Sequence, residues 1–246
     1  MQTNPTKLWR GLSSAGQGAM QTRDYREGTL AEQLATTGLD AGRLAGADRA
    51  GLEEAWIPGV EIFPRAIYPQ RHRGSFGELV RRDEGVLKKI GLWPQQWSAA
   101  RMFAQTAKGF HIHPPSVPAE MKPEDWFRRL FVEEPENFAV RPYAEEQWDV
   151  MFFLQGQAEV ILREERAGLP VRTMRLWIAG DDHRGSHNVG LVIPAGVAHA
   201  IRVEGSADLV MVYGTTVSFR PEFEGRIASE VETATLPETW QRFLAL

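Results

Sequence analysis

Two histidines separated by one residue, His111 and His113, are the first candidates for chemistry in this sequence. If this segment is a strand, alternation places both imidazoles on one face of the sheet. Two neutral imidazoles on one face can share a metal ion. The same pattern also occurs in ordinary surface or core histidines, so its interpretation depends on a second motif.

The second motif is the segment 194–199, in which a proline and a glycine precede His199. The proline and glycine predict a tight turn that starts a strand with His199 near its beginning. Together with the H-x-H pattern, this segment resembles the two halves of the metal-cupin signature, which also expects a carboxylate ahead of a glycine. Asp149 stands ahead of Gly156 in this way, with Glu145 and Glu146 as competitors. One hypothesis is therefore a divalent metal held by four side chains: His111, His113, Asp149 and His199.

A β-barrel is the architecture that could bring these segments together. From Ile57 onward, short apolar runs are punctuated by Pro and Gly, which is typical of antiparallel sandwiches and barrels. We predict a mainly β protein, a cupin double-stranded β-helix or jelly roll. Eight strands are expected: 60–68, 101–105, 149–155, 158–163, 171–177, 189–193, 199–203 and 209–215.

The other segments are predicted to decorate this barrel. We expect a helical or irregular N-terminal extension over 1–56, a barrel over 57–227 and a C-terminal helix over 228–246 packed on it. Residues 114–147 are read as an insertion containing an amphipathic helix. Surface packing is the favoured interpretation of this insertion, and a lid over the pocket is the alternative.

The composition excludes several classes of protein. The 246 residues include no cysteine, which removes disulfides, thiolate metal sites and cysteine nucleophiles. The net charge of −4 is modest, so the chain lacks the excess of positive charge that is typical of nucleic-acid binders. No segment has the apolar length of a membrane span or a signal peptide. We therefore expect a cytoplasmic globular protein.

A further segment, 73–78, combines one arginine and one carboxylate around two glycines. Arginine suits bidentate recognition of phosphate, so this segment could contribute to an anionic ligand site. By itself it is also an ordinary turn that enters a strand.

Several short motifs in order resemble the dTDP-4-dehydrorhamnose 3,5-epimerase family, which consists of sugar-nucleotide enzymes on a cupin barrel. The resemblance spans 57–227 and includes I-P-x-V, R-G-x-F-x-E, a glutamine, G-x-H, P-x-G-x-A-H, a tyrosine and an aromatic before P-E-x-E-G. The corresponding positions in this chain are Ile57 to Val60, Arg73 to Glu78, Gln96, Gly109 to His111, Pro194 to His199, Tyr213, Phe219 and Pro221 to Gly225.

The resemblance implies proton abstraction alpha to a ketone, with His111 as general base and Tyr213 as general acid on the opposite face of the sugar ring. It implies no cofactor for this reaction and a homodimer as the default assembly. Phe219 would stack on the base of a nucleotide sugar. The remaining substrate-binding residues would be Arg73, Glu78, Gln96, Lys108, His199 and Glu224.

Three departures from the family lie near the expected chemistry. Lys108 stands where the family has an arginine. It keeps the positive charge but lacks the planar guanidinium that binds phosphate through two hydrogen bonds. Asp149 aligns with a lysine that would steady the developing enolate, and the family's aspartate near the carboxyl terminus has no counterpart up to Leu246. Two alternatives therefore stay open. One is a metal-dependent cupin, such as a dioxygenase or a metal-assisted isomerase, and the other is a barrel that binds a sugar or nucleotide without catalysis.

Overall fold

The computed structural model describes residues 56–113, 146–166, 169–170, 172–183, 188–219 and 225–226. Most of the predicted N-terminal extension, the predicted inserted helix and the predicted C-terminal helix lie outside these residues. Within them, no helix is long and apolar enough to cross a membrane. The elements are β1 (Glu61–Pro64), β2 (Ala66–Pro69), β3 (Ser75–Glu78), α1 (Gly85–Ile90), β4 (Gln96–Met102), β5 (Ala107–Ile112), β6 (Asp149–Gln155), β7 (Gln157–Glu164), β8 (Thr173–Ala179), β9 (Val189–Ile193), β10 (Val197–Glu204), β11 (Leu209–Thr215) and β12 (Gly225–Arg226).

Ten of these strands form two five-stranded antiparallel sheets. The first sheet has the order β1-β9-β6-β11-β4, and the second has the order β12-β5-β10-β7-β8. Strands β2 and β3 form a separate hairpin. The chain alternates between the sheets instead of completing one before the other, as jelly rolls do. The predicted cupin fold class is confirmed.

The main hydrophobic core lies between the two sheets. Alternate residues of β6, such as Met151 and Phe153, face the same cluster as Val160 and Leu162 of β7. The residues between them on β6, Val150 and Phe152, belong to a second cluster on the outer side of the first sheet, against α1. Because both faces of β6 are covered, its sequence is a nearly continuous apolar run.

Several predicted strand bounds were wrong, and two strands differ most from the structure. The strand expected over 60–68 is divided into β1 and β2 at Arg65. The strand expected over 101–105 begins earlier, at Gln96, and ends at Met102, because the chain turns at residues 103–106. In the first case the apolar run contains Arg65, whose structural role apolar periodicity does not detect.

Arg65 joins the hairpin to the barrel through a buried ion pair. Its guanidinium donates to both carboxylate oxygens of Asp181 (3.2 and 2.9 Å) and to the carbonyl oxygen of Glu78. Its Cζ atom lies 5.3 Å from the centre of the Phe152 ring. The Arg65 side chain is 1% exposed and that of Asp181 19%, so solvent screens the pair weakly.

Replacement of Arg65 by alanine is expected to lower the free energy of unfolding by about 3–5 kcal/mol. The reason is that the Asp181 carboxylate would lose its ion-pair partner in a partly buried site. Urea denaturation followed by circular dichroism measures the change. Arg81→Ala is the matched control, since Arg81 is half exposed and pairs with Glu78 and Glu84 at the surface. Equal denaturation midpoints for the two variants would contradict the conclusion that the buried Arg65–Asp181 ion pair stabilises the fold.

Candidate active site

A cavity of about 430 Å³ lies between the two sheets. Apolar side chains such as Met151, Ile201 and Met211 separate it from the main core. The polar groups around it come from five strands and from the segments next to them. The polar lining residues are Gln96, Arg101, Lys108, His111, His113, Gln147, Asp149, His199, Tyr213 and Thr215.

Strand register explains why polar groups gather at one end of the barrel. Asp149 begins β6 opposite Thr215 at the end of β11, and Thr215 is opposite Gln96 at the start of β4. In the second sheet, His199 near the start of β10 is opposite His111 near the end of β5. Apart from Arg101 and Lys108, the lining residues farther along these strands are mostly apolar, so most of the polar groups of the cavity lie at one end of the barrel.

His111 and His199 lie side by side on neighbouring strands. Their ring centroids are 5.8 Å apart with nearly parallel planes. The approach of β5 to β10 depends on Gly109, whose φ is +132° and where a Cβ atom would lie 2.7 Å from the carbonyl oxygen of His199. A side chain at this position would push the strands apart, so glycine is required by both conformation and space.

His113 follows the last residue of β5 and is anchored by the turn that precedes His199. The backbone N–H of Gly196 donates to the carbonyl oxygen of His113 (2.6 Å), and that of Val197 closes the turn on the carbonyl of Pro194 (3.2 Å). The two motifs predicted from the sequence therefore contact each other directly. This contact brings the rings of His113 and His199 to a centroid distance of 5.5 Å.

Asp149 lies between the imidazoles of His113 and His199. Its Oδ2 atom is 3.3 Å from His113 Nε2 and 3.5 Å from His199 Nε2. Gln147 Nε2 donates to the other oxygen, Oδ1, at 3.0 Å. The side chains of His113, Asp149 and His199 are each at most 7% exposed. We call these three residues the His-Asp-His cluster.

The pKa values of His199 and Asp149 are both lowered in this cluster. Burial lowers the pKa of His199 to about 3, assisted by His113 and His111 and opposed by the Asp149 carboxylate. Burial alone would raise the pKa of Asp149. Interactions with the imidazoles of His113 and His199 and the hydrogen bond from Gln147 instead hold it well below its usual range. At neutral pH the cluster therefore contains an ionised carboxylate beside a neutral His199.

Two other acids compete with Asp149 in the sequence, Glu145 and Glu146. Glu145 lies outside the described residues. Glu146 is described and partly buried, and burial raises the pKa of its carboxyl to about 7 against the opposing effects of Trp148 and Arg166. Among the described residues, the group that could hold a metal consists of His113, Asp149 and His199 without His111 or Glu146.

Tyr213 approaches the cavity from the first sheet. It lies on β11 opposite Ser98 of β4 and Met151 of β6, and it packs partly buried against the main core. Because His111 belongs to the second sheet, the imidazole and the phenol reach the cavity from different sheets. A flat ligand between the sheets could meet them on opposite faces.

The rim of the cavity carries an exposed ring and two cationic side chains. The backbone N–H of Phe219 donates to Gln96 Oε1 (2.8 Å), and the Phe219 ring is 55% exposed. Lys108 is exposed on β5 at the same cavity. Arg101 also lines it and forms an ion pair with Asp208 (2.5 Å).

Not every predicted residue lies at this cavity. Arg73 ends an exposed 3-10 turn, and Glu78 ends β3 and pairs with Arg81, so neither lines the cavity of the single chain. Glu224 lies outside the described residues. The homodimer stays a prediction.

The sequence analysis missed several lining residues: Arg101, Gln147, Met151, Met211 and Thr215. Gln147 could have been found, because it stands two positions before Asp149, on the same side of an extended chain. Met151 and Met211 were visible only as apolar members of strands.

No family model matches this chain. The spore coat polysaccharide biosynthesis protein SpsL of Bacillus subtilis is 30% identical over 180 residues, which cover 72% of this chain and 93% of SpsL.

Solved structures with a similar fold include sugar-nucleotide enzymes. NovW, a 4-keto-6-deoxy sugar epimerase of Streptomyces spheroides, has a TM-score of 0.50 and 14% identity, covering 72% of this chain and 73% of NovW. The RmlC epimerase of Legionella pneumophila, in complex with dTDP-4-keto-L-rhamnose, has a TM-score of 0.47 and 20% identity, covering 68% and 72%. The similarity to NovW supports the cupin fold only, whereas the similarity to SpsL extends to the sequence. The chain belongs to the family of the spore coat polysaccharide biosynthesis protein SpsL and has a cupin fold.

Proposed function

We propose that this protein is an epimerase or isomerase of a nucleotide-linked keto sugar. In this reaction His111 removes a proton from the carbon next to the ketone, and Tyr213 returns a proton to the opposite face. Inversion at a carbon alpha to a carbonyl needs a base and an acid on different faces of the sugar ring. The observation that carries the proposal is the placement of His111 and Tyr213 on different sheets around one cavity.

The chemistry of the rim supports a nucleotide as the other half of the substrate. The exposed Phe219 ring offers a stacking surface for a planar base, as aromatic side chains do for nucleobases. Lys108 supplies a positive charge at the same cavity, which suits a diphosphate. The cavity of about 430 Å³ has the size of an ordinary small-molecule site.

The relatives support the same class of substrate. SpsL is named for polysaccharide biosynthesis, and NovW acts on a 4-keto-6-deoxy sugar. A keto sugar linked to a nucleotide fits both names.

Solvent exchange tests the proposal directly. The protein is incubated in deuterium oxide with a dTDP-4-keto-6-deoxyhexose, and the sugar is examined by mass spectrometry and proton NMR. We expect deuterium at C3 or C5, because every proton removed by the base can be replaced from solvent. A panel that varies the base, with dUDP, UDP and GDP keto sugars, measures how strongly the rim selects the nucleotide.

Two results would redirect the proposal. Exchange with none of these keto sugars would overturn it. Tight binding of dTDP without exchange would instead identify a binding protein that has lost catalysis.

A further inference from the structure

We propose that the His-Asp-His cluster binds one divalent transition-metal ion. The ligand atoms would be Nε2 of His113, Oδ2 of Asp149 and Nε2 of His199. The three atoms lie within 4.8 Å of one another in a buried group. The binding site requires no sugar, so it stands apart from the reaction proposed above.

The spacing of the ligand atoms is close to that of ligands around a metal ion and long for a hydrogen bond. Tetrahedral ligands at about 2.0–2.1 Å from a metal are about 3.4 Å apart. The Asp149 oxygen lies 3.3 and 3.5 Å from the two imidazole nitrogens. A charge-assisted hydrogen bond between such groups would be shorter, about 2.7–2.9 Å. The observed separations leave room for an ion among the three atoms.

The surroundings hold these side chains in position. Gln147 donates to Asp149 Oδ1, which fixes the carboxylate with Oδ2 toward the imidazoles. The hydrogen bond from Gly196 fixes the backbone of His113, and His199 lies within the paired part of β10. Hydrogen bonds of this kind around a ligand set orient it and raise its affinity for metal.

A cation would also balance the charge of the site. Asp149 is a nearly fully buried carboxylate, and removing an ion of this kind from water costs several kcal/mol unless it is compensated. Hydrogen bonds from Gln147 and His113 supply part of the compensation. A divalent ion on Oδ2 would supply the rest.

The ligand types indicate the class of metal. Two imidazoles and one carboxylate suit Zn²⁺, Fe²⁺, Co²⁺ or Ni²⁺, whereas Ca²⁺ and Mg²⁺ prefer oxygen ligands alone. Three protein ligands leave at least one coordination position for water or a substrate oxygen. All three ligand residues line the cavity, so this position would be accessible to a small molecule.

If the proposed function is correct, the ion would have a defined task. A cation beside a ketone oxygen polarises the carbonyl and stabilises the negative charge that develops on the oxygen when the neighbouring proton leaves. The lysine that would do this in the epimerase family is replaced by Asp149, a metal-ligand type. This role rests on the proposed function, whereas binding of the ion does not.

Titration of the full chain, without an affinity tag and after dialysis against a chelator, tests the site in the absence of sugar. Zn²⁺ binding is followed by calorimetry and Co²⁺ binding by visible absorption, and we expect about one ion per chain. Asp149→Asn and His113→Ala are expected to abolish binding, and Gln147→Ala to weaken it about 10- to 100-fold. His111→Ala and the surface variant His183→Ala are expected to bind as the wild type does, because neither residue belongs to the ligand set.

X-ray absorption of the zinc-loaded wild type provides a readout that does not depend on the folding of variants. Scattering from two imidazoles and additional oxygen ligands is the expected result. Lack of binding by both Zn²⁺ and Co²⁺, binding that survives both ligand replacements, or a spectrum with no imidazole or with three would each overturn the assignment. Because no sugar is present, failure here is separate from failure of the epimerase proposal.

Discussion

The His111→Ala variant is expected to incorporate deuterium into the keto sugar about 10²- to 10⁴-fold more slowly than the wild type, because positioned general bases contribute factors of this size. The imidazole is partly exposed to the cavity and stacks against His199. Alanine removes the base and leaves the strand pairing of β5 and β10 in place. The initial rate of exchange at saturating sugar measures the effect.

The control for this variant is His183→Ala, which removes a partly exposed imidazole outside the cavity and should exchange at the wild-type rate. A His111→Ala variant that retains more than a tenth of the wild-type exchange rate, with unchanged thermal stability, would place the base elsewhere. His113 and His199 would then be the residues to replace next, since both line the same cavity.

Replacement of Tyr213 by phenylalanine is expected to separate two events that the wild type couples. His111 can still remove the proton and return one from solvent to the same face, so exchange should continue. Inversion needs a donor on the other face, and its rate should fall by about 10²-fold or more. The ratio of exchanged to inverted sugar, followed by NMR in deuterium oxide, is the measurement.

Tyr68→Phe is a suitable control, because the Tyr68 ring is exposed on the hairpin, stacks on Phe76 and does not line the cavity. Loss of its hydroxyl should leave the ratio unchanged. If Tyr213→Phe inverts the sugar as fast as the wild type, the phenol is not the acid. Equal loss of exchange and inversion would instead indicate that the phenol also stabilises the enolate.

Much of the fold could be predicted because β-barrels leave strong local signals. The run Asp149 to Gln155 is apolar on both faces and was predicted with its exact boundaries, as were β9 and β11. The turn before His199 follows from Pro194 and Gly196. In each case, local residue chemistry and the final structure favour the same conformation.

The sequence does not reveal the roles of residues whose partners are distant along the chain. Arg65 interrupts an apolar run, yet its partner Asp181 is remote in sequence, so no local pattern distinguishes a break from a continuous strand. For the site, H-x-H and P-x-G-x-x-H point to three histidines that the structure brings together at one cavity. They could not show that Asp149 contacts His113 and His199 while His111 lies outside this group. That distinction depends on strand register and on where β5 ends.

Pairing between remote strands also has consequences for how the protein folds. β5 pairs with β10 and β11 pairs with β4, so the cavity forms only after long stretches of chain have closed. Loop-closure entropy makes such topologies slow to fold compared with helical proteins of similar size. Partly folded chains would therefore have no cavity, and any ligand of the cavity would bind the native state alone. Its binding would raise the melting temperature by mass action, which makes thermal shift a direct screen for substrates and metals.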